Sequence, residues 1–237
     1  MRQKTNNIRR SNRYNRIKGS FLWVLLLFSY WSYGQKIVEK RIDSQLDNVL
    51  IEFDLIDHIE VFSSTGSEIV VRAEGELQTP KFQLSEQASH IVIQGHQQLN
   101  AEETFDQDKV CSVEPNYASY KIYIPENKVL FISFKEGNFY ADAYDGVINL
   151  KVEDGIVKLN RLSYDTHIEL NTGSVFVKNM IHTDIFAKTN LGTLVTDLPG
   201  KSPVRENNIF EKKGKETDTS LIIRAIMANI YLYESKG

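Results

Sequence analysis

Glycine recurs at a fixed step through the middle of this chain. Gly137, Gly155 and Gly173 are spaced 18 residues apart, and Gly192 follows 19 later. Written as Lys135–Val152, Glu153–Leu170, Asn171–Lys188 and Thr189–Glu206, the segments align at several positions. Phe139, Val157 and Val175 stand two residues after the first three glycines, and Ala141, Leu159 and Val177 two further on. At the seventh position after each glycine come Tyr144, Leu162 and Met180. The second halves carry Ile148, Leu150 and Val152, then Ile168 and Leu170, and slip by one residue to Ile185 and Ala187. The fourth unit is degenerate, with Leu194 and Leu198 its best matches.

A repeat of this kind strongly limits the fold. Glycine tolerates the positive φ of a tight turn. Alternation sends one set of side chains inward. A constant period lets each coil stack on the last with equivalent positions in line. Eighteen residues at about 3.3 Å each make a coil of roughly 60 Å perimeter, enough for two or three short strands. The expected fold is all-β, a single-stranded parallel β-solenoid of four or five rungs. A second architecture stays open. Gly146 lies midway between Gly137 and Gly155, and Tyr144-Asp145-Gly146 and Glu153-Asp154-Gly155 read as hairpin turns. That half period suits an antiparallel β-sandwich. The matching is better at 18 than at nine.

The flanking sequence is also strand-like. Val49–Phe53, His58–Phe62, Glu68–Ala73, His90–Gln94, Tyr120–Ile124 and Val129–Phe134 are rich in β-branched and aromatic residues and bounded by turn formers. No window shows sustained helical periodicity. Residues 35–119 are expected to form lead-in strands and a loop, the loop being the polar interval Ala101–Pro115. Residues 120–237 are expected to carry the repeats and a C-terminal cap. In that cap Ile223, Ala225, Ile230 and Leu232 fit two strands over Leu221–Tyr233, which would shield the last rung. A second polar interval, Lys201–Thr219, reads as solvated surface.

The first 34 residues differ in kind. Seven of the 28 basic residues and none of the 31 acidic ones lie there, which leaves 21 against 31, about −10 formally, for the remainder. An apolar run, Phe21–Trp31, follows the basic tract and is about half the length needed to span a bilayer. Ser32 and Gly34 then place small residues before Gln35. Basic, short apolar, small is the order of a cleavable secretory signal. Contact with a membrane is expected only through this segment. An acidic remainder repels a phosphate backbone, so nucleic acid is not an expected partner. The single cysteine, Cys111, cannot form an internal disulfide and reads as a small buried hydrophobe.

Several of these features occur together in a known group. Lys121-Ile122-Tyr123-Ile124-Pro125, then Leu130-Phe131-Ile132, then glycine-punctuated coils, then Ala228-Asn229-Ile230-Tyr231-Leu232, resemble the adhesin-like β-solenoid domains of unknown function found in exported bacterial envelope proteins, common in the Bacteroidetes lineage. The resemblance covers roughly Gln35–Gly237, most clearly Tyr120–Leu198. It implies a parallel β-solenoid and an envelope or surface role, and supplies no functional residues.

Catalytic chemistry is hard to find. His58, His90, His96, His167 and His182 lack the local spacing of zinc ligands, and His90 and His96 would sit about 20 Å apart on an extended strand. A β-helix hydrolase of carbohydrate would need paired carboxylates. The candidates are Asp142 above Asn160, and Asp165 with Asp184 one position out of register. Asp145-Gly146 and Asp154-Gly155 match no calcium loop. No catalytic residue, cofactor or metal is expected. Tyr140, Tyr144 and Tyr164 are the candidate ligand contacts, as a stacking platform, although Tyr also suits a half-buried sheet face. The expected function is a non-catalytic, adhesin-like binding or structural module of the cell envelope, periplasmic or on the surface. Its partner would be an envelope protein or glycan. A periplasmic scaffold or sensor is the alternative, and a carbohydrate-active β-helix hydrolase the third reading.

Overall fold

The computed structural model describes residues 36–75, 79–95, 117–178, 183–199, 208–214 and 219–234. The segment 1–34, expected to be an export signal, the interval Ala101–Pro115 with Cys111, His96, His182, Met180 and most of Lys201–Thr219 lie outside these residues. The described residues are all-β. The first half of the chain forms β1 (Lys36–Asp43), β2 (Asn48–Phe53), β3 (Leu55–Ser64), β4 (Glu68–Gly75), β5 (Gln83–Glu86), β6 (Ile91–Gly95) and β7 (Ser119–Pro125). The second half forms β8 (Val129–Ala141), β9 (Val147–Leu159), β10 (Thr166–Lys178), β11 (Asp184–Thr189), β12 (Leu194–Thr196), β13 (Ile209–Lys212) and β14 (Ser220–Tyr233).

The long strands show why the repeat reads as it does. In β8, Leu130, Ile132 and Phe134 are buried; Lys135 and Glu136 both face solvent; then Phe139 and Ala141 are buried. Two alternating halves are joined by a one-residue phase slip, with Gly137 just after it. β9 and β10 repeat the arrangement around Gly155 and Gly173. These glycines are required by space as well as by backbone. Gly173 has φ +120°, and a Cβ there would lie 1.9 Å from the carbonyl oxygen of Gly155. Adjacent strands touch backbone to backbone at this position.

Pairing follows the repeat. β8 pairs β9 in parallel with Gly137 opposite Gly155, and β9 pairs β10 with Gly155 opposite Gly173. The 18-residue step is thus a lateral neighbour relation. The hairpin reading of the half period is corrected: Glu153-Asp154-Gly155 lies inside β9, and Tyr144-Asp145-Gly146 connects two parallel strands.

The strands outside the repeat depart from expectation. The sheet is mixed, with order β1-β4-β7-β3-β8-β9-β10-β14-β11-β13. On the N-terminal side, β2 and β3 together run parallel to β8, β6 runs parallel to β2, and β7 runs parallel to β3. Part of the predicted lead-in therefore joins the parallel stack. β4 on β7, β1 on β4, β5 on β6 and β13 on β11 are antiparallel. A purely parallel chain of successive rungs is corrected on this point.

The C-terminal segment is corrected as well. It is one strand, β14, and it does not cap the stack. It lies between β10 and β11, parallel to both, with Ile223 opposite Ile168 on one side and Ala187 on the other. Apolarity explains the placement. Leu221, Ile223, Ile230 and Leu232 are wholly buried, which suits an interior strand with neighbours on both edges better than an outermost one. β11 carries the outer antiparallel strand β13 instead, with Phe210 buried between.

Inward side chains form continuous columns across this order. One runs through Tyr120, Ile59, Phe139, Val157, Val175, Ile230 and Leu194. All seven are buried, and together with the parallel column from Ile93 through Ile132, Leu150 and Ile168 to Ile223 they make up much of the core.

Candidate binding surface

The three tyrosines expected to form a platform have different surroundings, with Tyr144 buried, Tyr140 partly buried and Tyr164 exposed. Tyr144 is 2% exposed, and its hydroxyl donates to the carbonyl of Lys128 at 3.1 Å. It is a core residue, which corrects its assignment as a ligand contact. Leu162 is its partner in a parallel bridge, so the position is an apolar one. Burial pushes its phenol well above the ordinary range. Tyr164 is exposed in the turn before β10, and its hydroxyl donates to Asn127 Oδ1 at 2.7 Å. Tyr140 faces outward from the second half of β8. Lys158 Nζ sits 5.2 Å from its ring centroid and the His58 ring 5.8 Å away.

The outward face carries aromatic contacts that the sequence does not display. Across the ladder, Tyr140 is followed by Lys158, Phe176, Tyr231 and Val195. Phe176 and Tyr231 stack at 4.7 Å with ring planes 6° apart, and Tyr231 stacks on Tyr233 at 6.4 Å. Phe62 and Tyr123 make a similar pair at 5.1 Å near the other end. Phe176 and Tyr231 are 55 residues apart and belong to no common repeat position. Only the insertion of β14 beside β10 makes them neighbours.

The corner ridge changes character along the stack. Lys135 and Glu136, Glu153 and Asp154, then Asn171 and Thr172 occupy it in β8, β9 and β10. In β14 the same positions are Ile226 and Met227, and Leu191 bonds to Ile226 from the next tier through its backbone N–H. Leu191 is 76% exposed and Met227 53%. Charge thus gives way to apolar surface toward the C-terminal end.

The residues weighed for catalysis have structural partners. Asn160 Nδ2 donates to Asp142 Oδ1 at 2.5 Å, a bond between adjacent turns. Asp165 Oδ1 accepts from the N–H and hydroxyl of Ser220, both at 2.8 Å, where β14 begins. Asp184 accepts from the N–H of Gly214 and from Lys213, which hold its carboxyl below the usual range. Ser220 sits between the two aspartates, opposite Asp184 in the ladder. His58 Nδ1 lies 2.8 Å from Asp57 Oδ2, and His90 Nδ1 3.0 Å from Ser89 Oγ. Among the described residues no group of three or more His, Cys, Asp or Glu is placed to hold a metal ion.

No family model and no curated protein matches the chain. Solved structures do. A "putative cell adhesion protein" from Clostridium sporogenes superposes with a TM-score of 0.61 at 14% identity, over 85% of this chain and 100% of that one. A "putative adhesin" from Bacteroides fragilis aligns over 84% of this chain and 98% of that one, at 9% identity and a TM-score of 0.34, too low to carry an argument. The chain is therefore similar in fold, over most of its length, to the Clostridium sporogenes protein.

Proposed function

We propose that this chain is an exported cell-envelope protein whose coils form a β-solenoid, and that it works as a non-catalytic, adhesin-like binding or structural module. The observation that carries this reading is the outward face. Stacked rings at Phe176 and Tyr231 stand on backbone paired on both sides, by β9 and β14 and by β10 and β12, with Tyr233 beside them, and Leu191, Ile226 and Met227 form an apolar corner joined by the Leu191 N–H to the Ile226 carbonyl. Such a surface is rigid before a partner arrives, so binding costs less ordering entropy. Aromatic side chains on a fixed sheet suit an envelope protein or glycan partner. The Clostridium sporogenes likeness supports the fold on which this rests. The assignment of 1–34 as an export signal supports the compartment.

Export is tested by isolating the protein from cells that express it and sequencing its N-terminus. A start at Gln35 in the envelope or medium supports the reading. A protein that keeps Met1 and stays in the cytoplasm overturns it.

A further inference from the structure

We propose that the groove where β10, β14 and β11 meet is a subsite for the carboxylate of an acidic sugar residue, held by Arg224 and Lys188. This deepens the reading of the chain as an envelope binding module and rests on it.

The starting point is a run of charges across the outward ladder. Lys151 is opposite Glu169, Glu169 opposite Arg224, and Arg224 opposite Lys188. Strands lie about 4.8 Å apart. The signs alternate until Lys188, which sets two cations side by side. Like charges directly opposite one another destabilise a sheet. Glu169 does not relieve the pair. Its Oε1 lies 3.7 Å from His167 Nε2, a buried atom with no hydrogen-bond partner, and it makes no ion pair with Arg224. Arg224 and Lys188 are both exposed, and neither makes an ion pair among the described residues.

The surroundings define the ligand. The groove has a volume of about 410 Å³, with Glu169 on the β10 side of Arg224 and Lys188 on the β11 side, Asn171 and Asn190 at the corner, and Phe186 and Ile226 as apolar wall, so a ligand carboxylate is placed between Arg224 and Lys188, away from Glu169. A guanidinium fork binds a carboxylate through two parallel hydrogen bonds, and an adjacent ammonium adds a point charge. Carboxamides donate to and accept from sugar hydroxyls. A ring at the wall receives the apolar face of a pyranose. Beyond residue 34 the chain is acidic by about ten charges, which opposes a polyphosphate. The same charge opposes a long polyuronate, so one local cation pair suits a single uronate residue of a short or otherwise neutral glycan.

The test is calorimetric titration of the full mature chain at low salt. The probes are trigalacturonate, a glucuronate-containing hyaluronan tetrasaccharide, fully methyl-esterified trigalacturonate and inorganic sulfate. The expected result is millimolar or tighter binding of at least one uronate, with the methyl ester about tenfold weaker or worse. Arg224→Gln and Lys188→Gln should each weaken uronate binding about tenfold, with a Tm unchanged or raised because the like-charge contact is gone. Lys81→Gln, an exposed cation in the segment before β5, should leave binding unchanged. Binding of neither uronate, equal affinity for the ester, equal affinity in Arg224→Gln, or sulfate binding as tightly as the uronates would each overturn the proposal. Such a failure leaves export standing, since the mature N-terminus decides that separately.

Discussion

Gly173 faces Ala228 across the β10–β14 ladder, although Gly192 is the next glycine of the repeat. Gly192 meets the same column from the far side: a Cβ on it would lie 1.9 Å from the Ala228 carbonyl oxygen. The glycine corner thus runs Gly137, Gly155, Gly173, Ala228, Gly192, with the C-terminal strand slotted into it.

That close approach makes the corner intolerant of a side chain. Gly173→Ala would combine a φ of +120° with a clash against the Gly155 carbonyl. The expected cost is at least about 3 kcal/mol in urea denaturation. Gly66→Ala is the control: nothing lies within 4 Å of its added methyl, and a change under about 0.5 kcal/mol is expected.

β14 is expected to be indispensable. A chain ending at Gly214 would lose Leu221, Ile223, Ile230 and Leu232 from the core and leave β10 and β11 with open edges. Each such side chain contributes about 1.5–3 kcal/mol, so the sum is comparable with the whole stability of a domain. Loss of the cooperative thermal transition, together with dye binding to exposed apolar surface, is the predicted result. A sharp transition in the truncated chain would mean that β14 is an accessory strand.

Thr189 fastens this strand. It is fully buried, donates from Oγ1 to the Ala228 carbonyl at 2.7 Å and accepts from the Gly192 N–H at 3.1 Å. Thr189→Val keeps the shape and strands both groups. It should cost about 1–3 kcal/mol, and amide exchange in β14 should rise more than in β9.

Alkaline pH should weaken the fold through Tyr120. Burial beside Phe53 and Phe82 pushes its phenol up to about 12. The unfolded chain releases that proton near pH 10 while the folded chain keeps it. Its contribution is therefore complete below pH 10 and falls as pH rises from about 10 to 12, by about 2–3 kcal/mol. Denaturation midpoints measured across that window should fall less steeply in Tyr120→Phe than in the parent. Tyr144, shifted the same way, supplies the remaining slope.

The repeat was legible because each of the strands β8, β9 and β10 bears its own copy of the rule. Phe139, Val157 and Val175 are lateral neighbours, and so are the glycines before them. The one-residue slip at Ile185 is real too: Thr166 and Ile185 both face Leu221, a step of 19. The place of β14 was not legible. Its 55-residue offset from β10 has no periodic echo, and an alanine replaces the glycine that would have marked it. Tyr144 could have been placed inside, since it shares its repeat position with Leu162 and Met180. The Phe176–Tyr231 stack could not have been found, because it exists only after a long-range strand insertion. The Arg224–Lys188 pair was hidden for the same reason.

The role of the molecule is decided most directly on intact cells. Cells expressing the protein would be treated with protease before and after the outer membrane is opened, and the fragments identified by N-terminal sequencing. A surface-exposed binding module predicts cleavage in intact cells, with the undigested protein beginning at Gln35. Protection until the outer membrane is opened would make it a periplasmic module, and a protein that keeps Met1 and is digested only after the cytoplasm is released would contradict the account.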